Sequence, residues 1–517
     1  MSRERRRILV TMCVALATVV SSVASLNVAL PDLARDTGAT QTQVQWIVDA
    51  YALVFAGLLL PAGALGDRLG RRRILLAGLA IFGLAALSAA FVDAPGALIA
   101  VRATMGLGAA LIMPTTLSVI TSSFGPGERD RAVAIWAGVA GGSALLGLLV
   151  SGAVLELWRW PSIFMLNVVL AVIAAAGTIR FVPAGRAAHR PPLDPGGALL
   201  SALGLAALVW AFIEAPQRGW GDGLVVAGFA AGVVLGAAFI VYELRRKQPM
   251  LDPRLFALRG FGAGSLSLMV QFFAMFGFIF VLLQYVQYVL GYSPLQAGVA
   301  LAPMALVLIG VSSRVPGLIA RFGVRRVGPP GLAIAGGGMA ILSTLDAGAS
   351  YWHLLAGLLV LGLGLALATT PATTAIVESV PETKQGVASA VNDAAREVGG
   401  ALGIAVLGSV LAGAYSSSLG DALAGAGAPA QAVARAQESL PAAMAVADRL
   451  GPRGAELATA AGRAFADGLS ASLLVAAAVL VAGAVVVYLR GPQAAPRMRA
   501  SMIDSPDGAP VSGWTKP

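Results

Sequence analysis

Carboxylates lie inside otherwise apolar stretches of this chain that are long enough to cross a lipid bilayer. Asp49 lies in the second such stretch, and Asp393 and Glu397 lie together in a late one. A charge at the centre of a bilayer costs at least ~2.5–3.5 kcal/mol, so an ionisable residue there is a functional candidate by default. Both histidines, His189 and His353, fall in connecting or interfacial segments. Any proton transfer inside the membrane is therefore expected to use the three acids.

Arg102 lies in the fourth apolar stretch, at a depth similar to that of Asp49 in the second. A nearby cation favours the ionised form of a carboxyl group, whereas burial favours the neutral form. A carboxylate that faces an arginine can therefore release its proton and its substrate in alternation. The structural alternative is a static ion pair that holds two helices together.

The segment "VNDAAREVGG", residues 391–400, carries the other two acids. Asp393 and Glu397 are four residues apart and so share one face of a helix. Two carboxylates at that separation resist being ionised together, which suits a proton carrier. In the structural alternative, Arg396 neutralises one of them and the cluster only stabilises the fold.

Aromatic and amide side chains recur at helical spacing along "QFFAMFGFIFVLLQYVQYVLGYSP", residues 271–294. Those on the shared face are Phe273, Phe276, Phe280, Gln284 and Gln287. Such a face suits a cavity for a large, flat, partly apolar ligand, and aromatic faces also attract organic cations. Packing against lipid and neighbouring helices is the alternative, which is favoured for any single phenylalanine; the two glutamines favour the cavity.

Long apolar segments must position these side chains. Charged residues make up only 12% of the chain, against about 25% in a soluble domain. Stretches of 18 or more apolar residues are long enough to cross a bilayer, and helices satisfy every backbone group there. The sequence predicts an integral membrane protein with fourteen spans, near residues 8–30, 45–65, 74–92, 97–119, 131–155, 162–182, 196–214, 223–242, 261–290, 295–319, 327–346, 352–372, 387–413 and 466–490.

Basic residues are distributed unevenly between the two sides of such an array. With a cytoplasmic N-terminus and alternating spans, most of the 36 lysines and arginines fall on the cytoplasmic side, as they do in membrane proteins generally. This bias explains the net charge of +10. No basic stripe is interleaved with aromatic residues on a soluble surface, so nucleic-acid binding is excluded. Both termini are predicted to be cytoplasmic.

Two basic turns indicate an internal duplication. "RLGRR" at 68–72 resembles "RFGVRR" at 321–326, and both follow the second span of a six-span half if spans 7 and 8 are an inserted pair. Such duplication is typical of secondary transporters, although two unrelated basic turns can also be similar by chance. The predicted organisation begins with an N-terminal six-helix bundle at 1–182 and a linker with two inserted spans at 183–259. A C-terminal six-helix bundle follows at 260–490 and includes an extracellular loop with short helices at 416–465. A disordered cytoplasmic tail is predicted at 491–517.

Other classes of chemistry lack the residues that they need. The single cysteine, Cys13, excludes disulfides and thiol–metal clusters. No phosphate-binding loop of the G-x-x-x-x-G-K-[ST] type occurs, so ATP-driven transport by this chain alone is not expected. A polytopic membrane enzyme would need a nucleophile–base pair or a metal cluster near an interface, and neither is visible. No enzyme activity, cofactor, metal or required protein partner is expected.

Seven motifs together resemble one transporter family. "GALGDRLGRRR" (63–73) resembles the signature turn of the major facilitator superfamily, and "RATMGLGAALIMP" (102–114) resembles its fourth-span motif. The remaining five resemble the fourteen-span drug:proton antiporter branch: "NVALP" (27–31), "WIVDAY" (46–51), "GLLVSG" (147–152), "GYSPLQAG" (291–298) and "VNDAAREVGGALG" (391–403). The resemblance covers nearly the whole chain. It implies an all-α polytopic fold of two pseudo-symmetric six-helix bundles plus two extra spans.

The resemblance also implies residue roles. It implies that the cytoplasmic turn gates transport, with Asp67 paired to an arginine and a helix end. It also implies that fifth-span glycines permit close helix contact. The gating residues would be Asp67, Arg68, Arg71, Gly147 and Gly152, with Gly138 and Gly142 in the same motif as the last two. The candidate residues for proton coupling are Asp49, Arg102, Asp393, Arg396 and Glu397. The candidate residues for substrate binding are Asn27, Tyr51, Phe276, Phe280, Gln284 and Gln287.

The chain departs from this family pattern at three positions. Ser22 and Ala24 stand where many relatives carry an Asp and a Thr, and Leu148 follows the central fifth-span glycine in place of a proline. The first departure removes one family proton site and places more weight on Asp49. It also weakens the expectation of a purely cationic substrate range.

The expected function is proton-coupled efflux of hydrophobic or aromatic compounds, cationic ones included, across the plasma (inner) membrane by alternating access. The expected partners are a small hydrophobic substrate, protons and membrane lipid. A dedicated exporter of a single antibiotic or other metabolite is the main alternative. A passive facilitator or nutrient symporter is a further one.

Overall fold

The computed structural model describes residues 2–183, 194–247, 249–380, 385–423, 430–450 and 454–491, and over these ranges the regular structure is entirely helical. A short 3-10 helix, Pro253–Ala257, lies just before the helix that begins at Arg259. The α-helices are α1 (Arg3–Thr37), α2 (Gln41–Leu69), α3 (Arg71–Ala89), α4 (Pro95–Ser123), α5 (Pro126–Leu157), α6 (Ser162–Phe181), α7 (Pro195–Arg218), α8 (Gly223–Arg245), α9 (Arg259–Tyr288), α10 (Pro294–Ser312), α11 (Val315–Phe322), α12 (Val324–Leu342), α13 (Tyr351–Glu378), α14 (Gln385–Leu423), α15 (Ala430–Glu438), α16 (Leu440–Leu450) and α17 (Gly454–Arg490).

Many of these helices can cross a membrane, so the chain is a multi-pass membrane protein. Twelve helices in the described ranges are long and apolar enough to do so. The predicted spans correspond to α1–α10, α12–α14 and α17, but α5 and α12 are not among the twelve. In α5 the apolar part is the shorter segment Gly142–Leu157. The membrane fold is confirmed, whereas the count of fourteen spans stays a prediction.

The helices alternate in direction, because short connections join most consecutive pairs. The end of the array that carries Arg3 and Arg490 is named the terminal face here. The opposite end, which carries Thr37 together with α15 and α16, is named the loop face. Asp393 lies in the half of α14 nearer the terminal face, whereas Asp49 lies in the half of α2 nearer the loop face.

Helices α1–α6, the N-terminal group, pack in the same pattern as helices α9–α17, the C-terminal group. In the first, α1 contacts α5 and α6, α2 contacts α4, and α3 contacts α4 and α6. In the second, α9 contacts α14 and α17, α10 contacts α13, and α12 contacts α13 and α17. Each pair in one group thus has a counterpart in the other. The exact boundaries of the two predicted bundles stay a prediction.

The two similar basic turns have the same backbone geometry. Gly70 ends α2 with a φ of 105°, and Gly323 ends α11 with a φ of 80°. The amide of each glycine donates to the carbonyl four residues earlier, at Gly66 and Ile319. A positive φ at these positions favours glycine, because a Cβ would be strained there. The resemblance of the two turns therefore extends from sequence to structure.

The inserted pair lies beside the junction of the two groups. Helix α7 packs along α8 and also contacts both α2 and α14. Apolar side chains from the three helices meet in one cluster, named the seam here, which contains Ala52, Val209, Ile213, Ala401 and Ala405 with Trp46 and Leu53 packed against it. Helix α8 is mostly exposed, as expected of a helix that faces lipid.

Two short helices cover the loop face near α14 and α17. The Tyr415 hydroxyl donates to the Ala436 carbonyl at 2.9 Å, and the Gln437 amide donates to the Ser416 carbonyl at 2.9 Å. Helix α16 packs on α17 and reaches α1. The predicted disordered tail beyond residue 491 lies outside the described residues.

Close contact between α12 and α13 depends on glycine and provides a stability test. A Cβ on Gly338 would lie 2.5 Å from the backbone nitrogen and 2.8 Å from the Cα of Leu361, whereas one on the adjacent Gly337 would meet nothing within 4 Å in the described part of the chain. We expect Gly338→Ala to lower the free energy of unfolding by ~1–3 kcal/mol through overpacking. Gly337→Ala should have little effect. Thermal unfolding in detergent checks the pair, and equal midpoints would contradict the packing.

Candidate functional site

Asp49 is a fully buried carboxyl group at the seam. It is 0% exposed, and neither of its oxygens has a hydrogen-bond partner among the described residues. The residues three or four positions away, Gln45, Trp46, Ala52 and Leu53, share its face of α2. Trp46, Ala52 and Leu53 belong to the seam, and the Gln45 amide lies 3.5 Å from the Ile404 carbonyl of α14. Asp49 therefore occupies the face of α2 that meets α7 and α14.

Arg102 approaches α2 from the opposite side. Its Nε donates to the Ile47 carbonyl at 3.1 Å, and its guanidinium carbon lies 4.2 Å from the centre of the Tyr51 ring. Ile47 and Tyr51 are each two residues from Asp49, which is ~200° around a helix. In the parts of the chain that the structure describes, Asp49 and Arg102 form no ion pair. Similar depth therefore does not bring the two side chains together in this conformation.

Ser22 of α1 completes the surroundings of Arg102. Its hydroxyl accepts a hydrogen bond from Nη1 of Arg102 at 3.2 Å, while Nη2 lacks a partner within the described ranges. Ser22 is one of the positions where the sequence departs from the family pattern. Among the residues that the structure describes, the buried guanidinium is thus held by a hydroxyl, a backbone carbonyl and an aromatic face, and by no carboxylate.

The acids of α14 lie near a cation without pairing with it. Arg396 acts electrostatically on Asp393 and Glu397, but no ion pair joins the three in the described residues. The Arg396 guanidinium instead lies 5.2 Å from the centre of the Phe272 ring, and its Nε has no hydrogen-bond partner there. The structural alternative, in which Arg396 neutralises one acid through an ion pair, is not the arrangement found.

Glu397 connects this cluster to α2. It interacts electrostatically with the phenol of Tyr51, which also lies beneath Arg102. Tyr51 donates to the Val19 carbonyl of α1 at 3.3 Å. One aromatic side chain thus links the arginine of α4 with the carboxylate of α14. Both predicted proton-coupling clusters therefore lie within electrostatic range of Tyr51 on α2.

The predicted substrate-binding amides bond to backbone in this conformation. Gln284 donates to the Phe280 carbonyl at 3.0 Å, and Gln287 donates across to the Val28 carbonyl of α1 at 3.1 Å. Asn27 of α1 donates to Val23, and its side-chain oxygen has no partner among the residues described. Gln287 therefore bridges the two groups, and Asn27 keeps an unused acceptor.

The two predicted substrate-binding phenylalanines differ in how far they are buried. Phe280 is fully buried, and Phe276 is partly buried and stacks edge-on with Phe272, with ring centroids 5.6 Å apart. A Cβ on Gly400 of α14 would strike the Phe276 ring. Phe276 thus lies between α9 and the acid-bearing segment of α14.

The predicted gating residues fall at both ends of the array. The side chain of Asp67 lies outside the described residues, Arg68 is exposed, and Arg71 begins α3. In α5 a Cβ on Gly147 would lie 3.0 Å from the Cα of Ser21, and one on Gly152 would lie 2.7 Å from the Cα of Leu295. The glycines of α5 nearer the terminal face, Gly138 and Gly142, have no described atom within 4 Å of such a Cβ.

Direct contacts between the groups are concentrated towards the loop face. The hydrogen bonds that join them in the described chain are Gln45 to Ile404 and Ala405, Gln287 to Val28 and Tyr288 to Pro31. The α5–α10 crossing at Gly152 and Leu295 lies on the same side. The structure is therefore closed at the loop face.

Two contributors to the site were missed at the sequence level. Gln45 lies four residues before Asp49, and this spacing indicated a shared face. Glu214 of α7 accepts from the indole of Trp46 at 3.4 Å and from Arg218 at 3.0 Å. Only the packing of the inserted pair against α2 reveals that contact, because the sequence does not fix where α7 lies.

The surroundings of Arg102 generate a stability prediction. Ser22→Ala removes a hydrogen-bond acceptor from a buried cation, which should lower the free energy of unfolding by ~1–3 kcal/mol. Ser22→Asp should raise the thermal midpoint above that of Ser22→Ala, because it supplies an opposite charge. Ser21→Ala is the control, since the Ser21 hydroxyl has no partner in the described part of the chain. Equal losses for Ser21→Ala and Ser22→Ala would contradict this account.

Known drug-resistance and efflux proteins are similar to this chain in sequence. The chain is 37% identical over 369 residues to the puromycin resistance protein pur8 of Streptomyces alboniger, covering 70% of this chain and 73% of that protein. It is 36% identical over 346 residues to the multidrug efflux pump LfrA of Mycolicibacterium smegmatis, covering 67% and 68%.

Structural comparison extends the likeness to the complete fold. The chain superposes on the crystal structure of a bacterial homologue of the human lysosomal transporter Spinster, in an inward-facing and unoccupied conformation. The TM-score is 0.65 at 18% identity, with 96% of this chain and 100% of that chain covered. Residues 10–404 match the Major Facilitator Superfamily. The chain belongs to the Major Facilitator Superfamily, whose fold is that of membrane transporters.

Proposed function

We propose that this protein exports hydrophobic or aromatic compounds, including organic cations, in exchange for protons. The observation that carries the proposal is Asp49, a buried carboxyl group without a partner among the described residues, at the seam that must open during alternating access. The similarity to a puromycin resistance protein and to a multidrug efflux pump supports efflux as the direction. The proton gradient supports the energetics, since each inward proton yields ~2.3 kcal/mol per 100 mV of membrane potential.

The distribution of charge supports a plasma membrane orientation with both termini in the cytoplasm. The terminal face carries the basic turns at Arg71–Arg73 and Arg325–Arg326 as well as the arginines before α1. Basic residues accumulate on the cytoplasmic side of membrane proteins. With this orientation, the closed loop face is the extracellular face.

Burial ties the protonation of Asp49 to closure at the loop face. An ionised carboxylate without a partner is very costly in an apolar interior, so Asp49 carries its proton while the seam is closed. Loss of the proton places a charge between α2, α7 and α14 and favours opening, which admits water. Protonation from the outside then permits closure again. The proton and the conformation are coupled through the cost of burying this one charge.

The acids of α14 are proposed to sense the substrate. Asp393 and Glu397 lie near Arg396, which is stacked on Phe272, and Phe276 lies beside the same helix segment. An aromatic cation entering between α9 and α14 would meet two carboxylates and aromatic faces. Its positive charge would stabilise their ionised forms and promote release of a proton.

A dedicated exporter of one metabolite is the second candidate. The observation that favours it is Ser22, because a hydroxyl beside Arg102 replaces an acid expected to help bind cations. A resistance profile in a host without its own pumps separates the two. Protection against a single compound favours the dedicated exporter, whereas protection against several unrelated aromatic compounds favours multidrug efflux.

The role of Asp49 is tested with purified protein in liposomes under an imposed pH gradient, with ethidium as the substrate. Asp49→Asn keeps the shape of the side chain but cannot release a proton, so ethidium transport driven by the gradient should fall by roughly tenfold or more, equivalent to ~1.4 kcal/mol. Ethidium binding should persist. Asp36→Asn is the control, because Asp36 pairs with Arg159 at the exposed end of α1. Undiminished pH-driven transport by Asp49→Asn would refute coupling through this residue.

The glycines of α5 provide a test of closure. Gly152→Val should weaken the loop-face contact with Leu295, whereas Gly142→Val should not, because no described atom lies within 4 Å of a Cβ there. Spin labels at Asp36 and Gly348, with Cys13 replaced, report the separation of the groups at the loop face. We expect longer distances to gain population in Gly152→Val alone. Identical distance distributions in both variants would show that this crossing does not control closure.

A further inference from the structure

A second set of buried carboxyl groups lies far from the seam, at the terminal face of the inserted pair. Asp194 precedes α7 and caps it, because its Oδ1 accepts from the Gly197 amide at 3.0 Å. The same oxygen accepts from the Tyr242 hydroxyl of α8 at 3.0 Å. The Asp194 side chain is only 3% exposed. This acid therefore links the start of α7 to the end of α8.

Glu243, in the last turn of α8, is buried beside it. The residue is 1% exposed, and its Oε2 accepts from the Leu251 amide at 3.5 Å in the connection to α9. Its Oε1 has no hydrogen-bond partner in the described ranges, and the same is true of Oδ2 of Asp194. Two buried acceptors are thus left without donors at one place in the fold.

These two oxygens converge on the same space. A Cβ on Gly197 would strike Oε1 of Glu243 and lie 3.0 Å from Oδ2 of Asp194. The absence of a side chain at Gly197 leaves room for both oxygens over the first turn of α7. The two carboxyl groups are within side-chain hydrogen-bond range of each other, so one hydrogen atom or one small ligand could serve both.

Within the described ranges, Asp194 has an ion-pair partner and Glu243 has none. Arg246 lies with its Nε 3.5 Å from Oδ2 of Asp194, and the N-terminus of α7 adds a partial positive charge. Tyr242 is a neutral donor, and the Arg254 guanidinium bonds to the Leu244 carbonyl at 3.2 Å. Arg245 and Lys247, the other cations at the end of α8, are exposed. Two adjacent buried carboxylates resist being ionised together.

We propose that Glu243 and Asp194 share one proton. The terminal-face end of the inserted pair is then a protonation site separate from Asp49 and the acids of α14. The proton resides on Oε1 of Glu243 and is donated to Oδ2 of Asp194, so that both unpartnered oxygens gain a hydrogen bond. The shared proton joins α7, α8 and the connection at Leu251. Its loss at alkaline pH places two negative charges side by side and drives the ends of α7 and α8 apart.

Infrared spectroscopy of the full-length protein in lipid nanodiscs tests the proposal, because a protonated carboxylic acid has its own carbonyl band. The spectrum of Glu243→Gln is subtracted from that of the wild type at neutral pH. We expect the difference to contain the band of one protonated carboxylic acid, which disappears as the pH is raised. Bands from Asp49 and the α14 acids cancel in the subtraction. Glu214→Gln is the matched control, since Glu214 pairs with Arg218 and should contribute no such band.

A second variant tests the sharing itself and remains useful if Glu243→Gln does not fold. Asp194→Asn keeps the helix cap, because Asn is as good a capping residue as Asp, but leaves Arg246 with Glu243 as its only acid. Glu243 should then ionise, so the band should be lost although residue 243 is unchanged. Persistence of the band in Asp194→Asn, or its absence from the wild type, would overturn the proposal. Its loss on adding NaCl or CaCl2 at constant pH would identify a cation site instead.

Discussion

The cost of an uncompensated charge in an apolar interior is the constraint on which this structure depends. It explains why few acids occur in the spans, and why those that do are not scattered at random. Asp49 lies where three helices meet, and Asp393 and Glu397 lie on the helix that crosses it. A fold stabilised only by apolar packing would tolerate none of them. In the mechanism proposed above, protonation of Asp49 is a condition for closure at the loop face, and this condition would link the proton gradient to the conformational change.

Helix α2 separates two electrostatic tasks on its two sides. On one side, Tyr51 and the Ile47 carbonyl receive the permanent charge of Arg102, together with Ser22. On the other side, Asp49 faces the seam. An ion pair between Asp49 and Arg102 would fix the acid as an anion and remove its ability to bind and release a proton. Separation by half a helical turn keeps the cation from holding the acid in one state.

The sequence predicted the membrane fold and the positions of the acids along the helices, because lipid requires long apolar helices and a charge interrupts them visibly. Periodicity also placed Asp393 and Glu397 on one face. It did not predict the partners of Arg102, since position along a helix defines depth and not the direction in which a side chain points. Gln45 was predictable in principle from its spacing to Asp49. The bond from Gln287 to Val28 was not, because it depends on how two helices far apart in the sequence pack against each other.

Within the inserted pair, α7 connects the N-terminal and C-terminal groups. Helix α7 is bonded to both groups, through Glu214 to Trp46 of α2 and through the Phe212 carbonyl to Ser409 of α14. When the loop face opens, α2 and α14 move apart, so α7 must release at least one of them. The Trp46 bond, at 3.4 Å, is longer than an ordinary hydrogen bond and is shared with the Glu214–Arg218 pair, which would persist without it. Because α7 packs along both α2 and α14, the Trp46 bond is the contact expected to break first when the loop face opens, which would loosen the cover of α7 over Asp49.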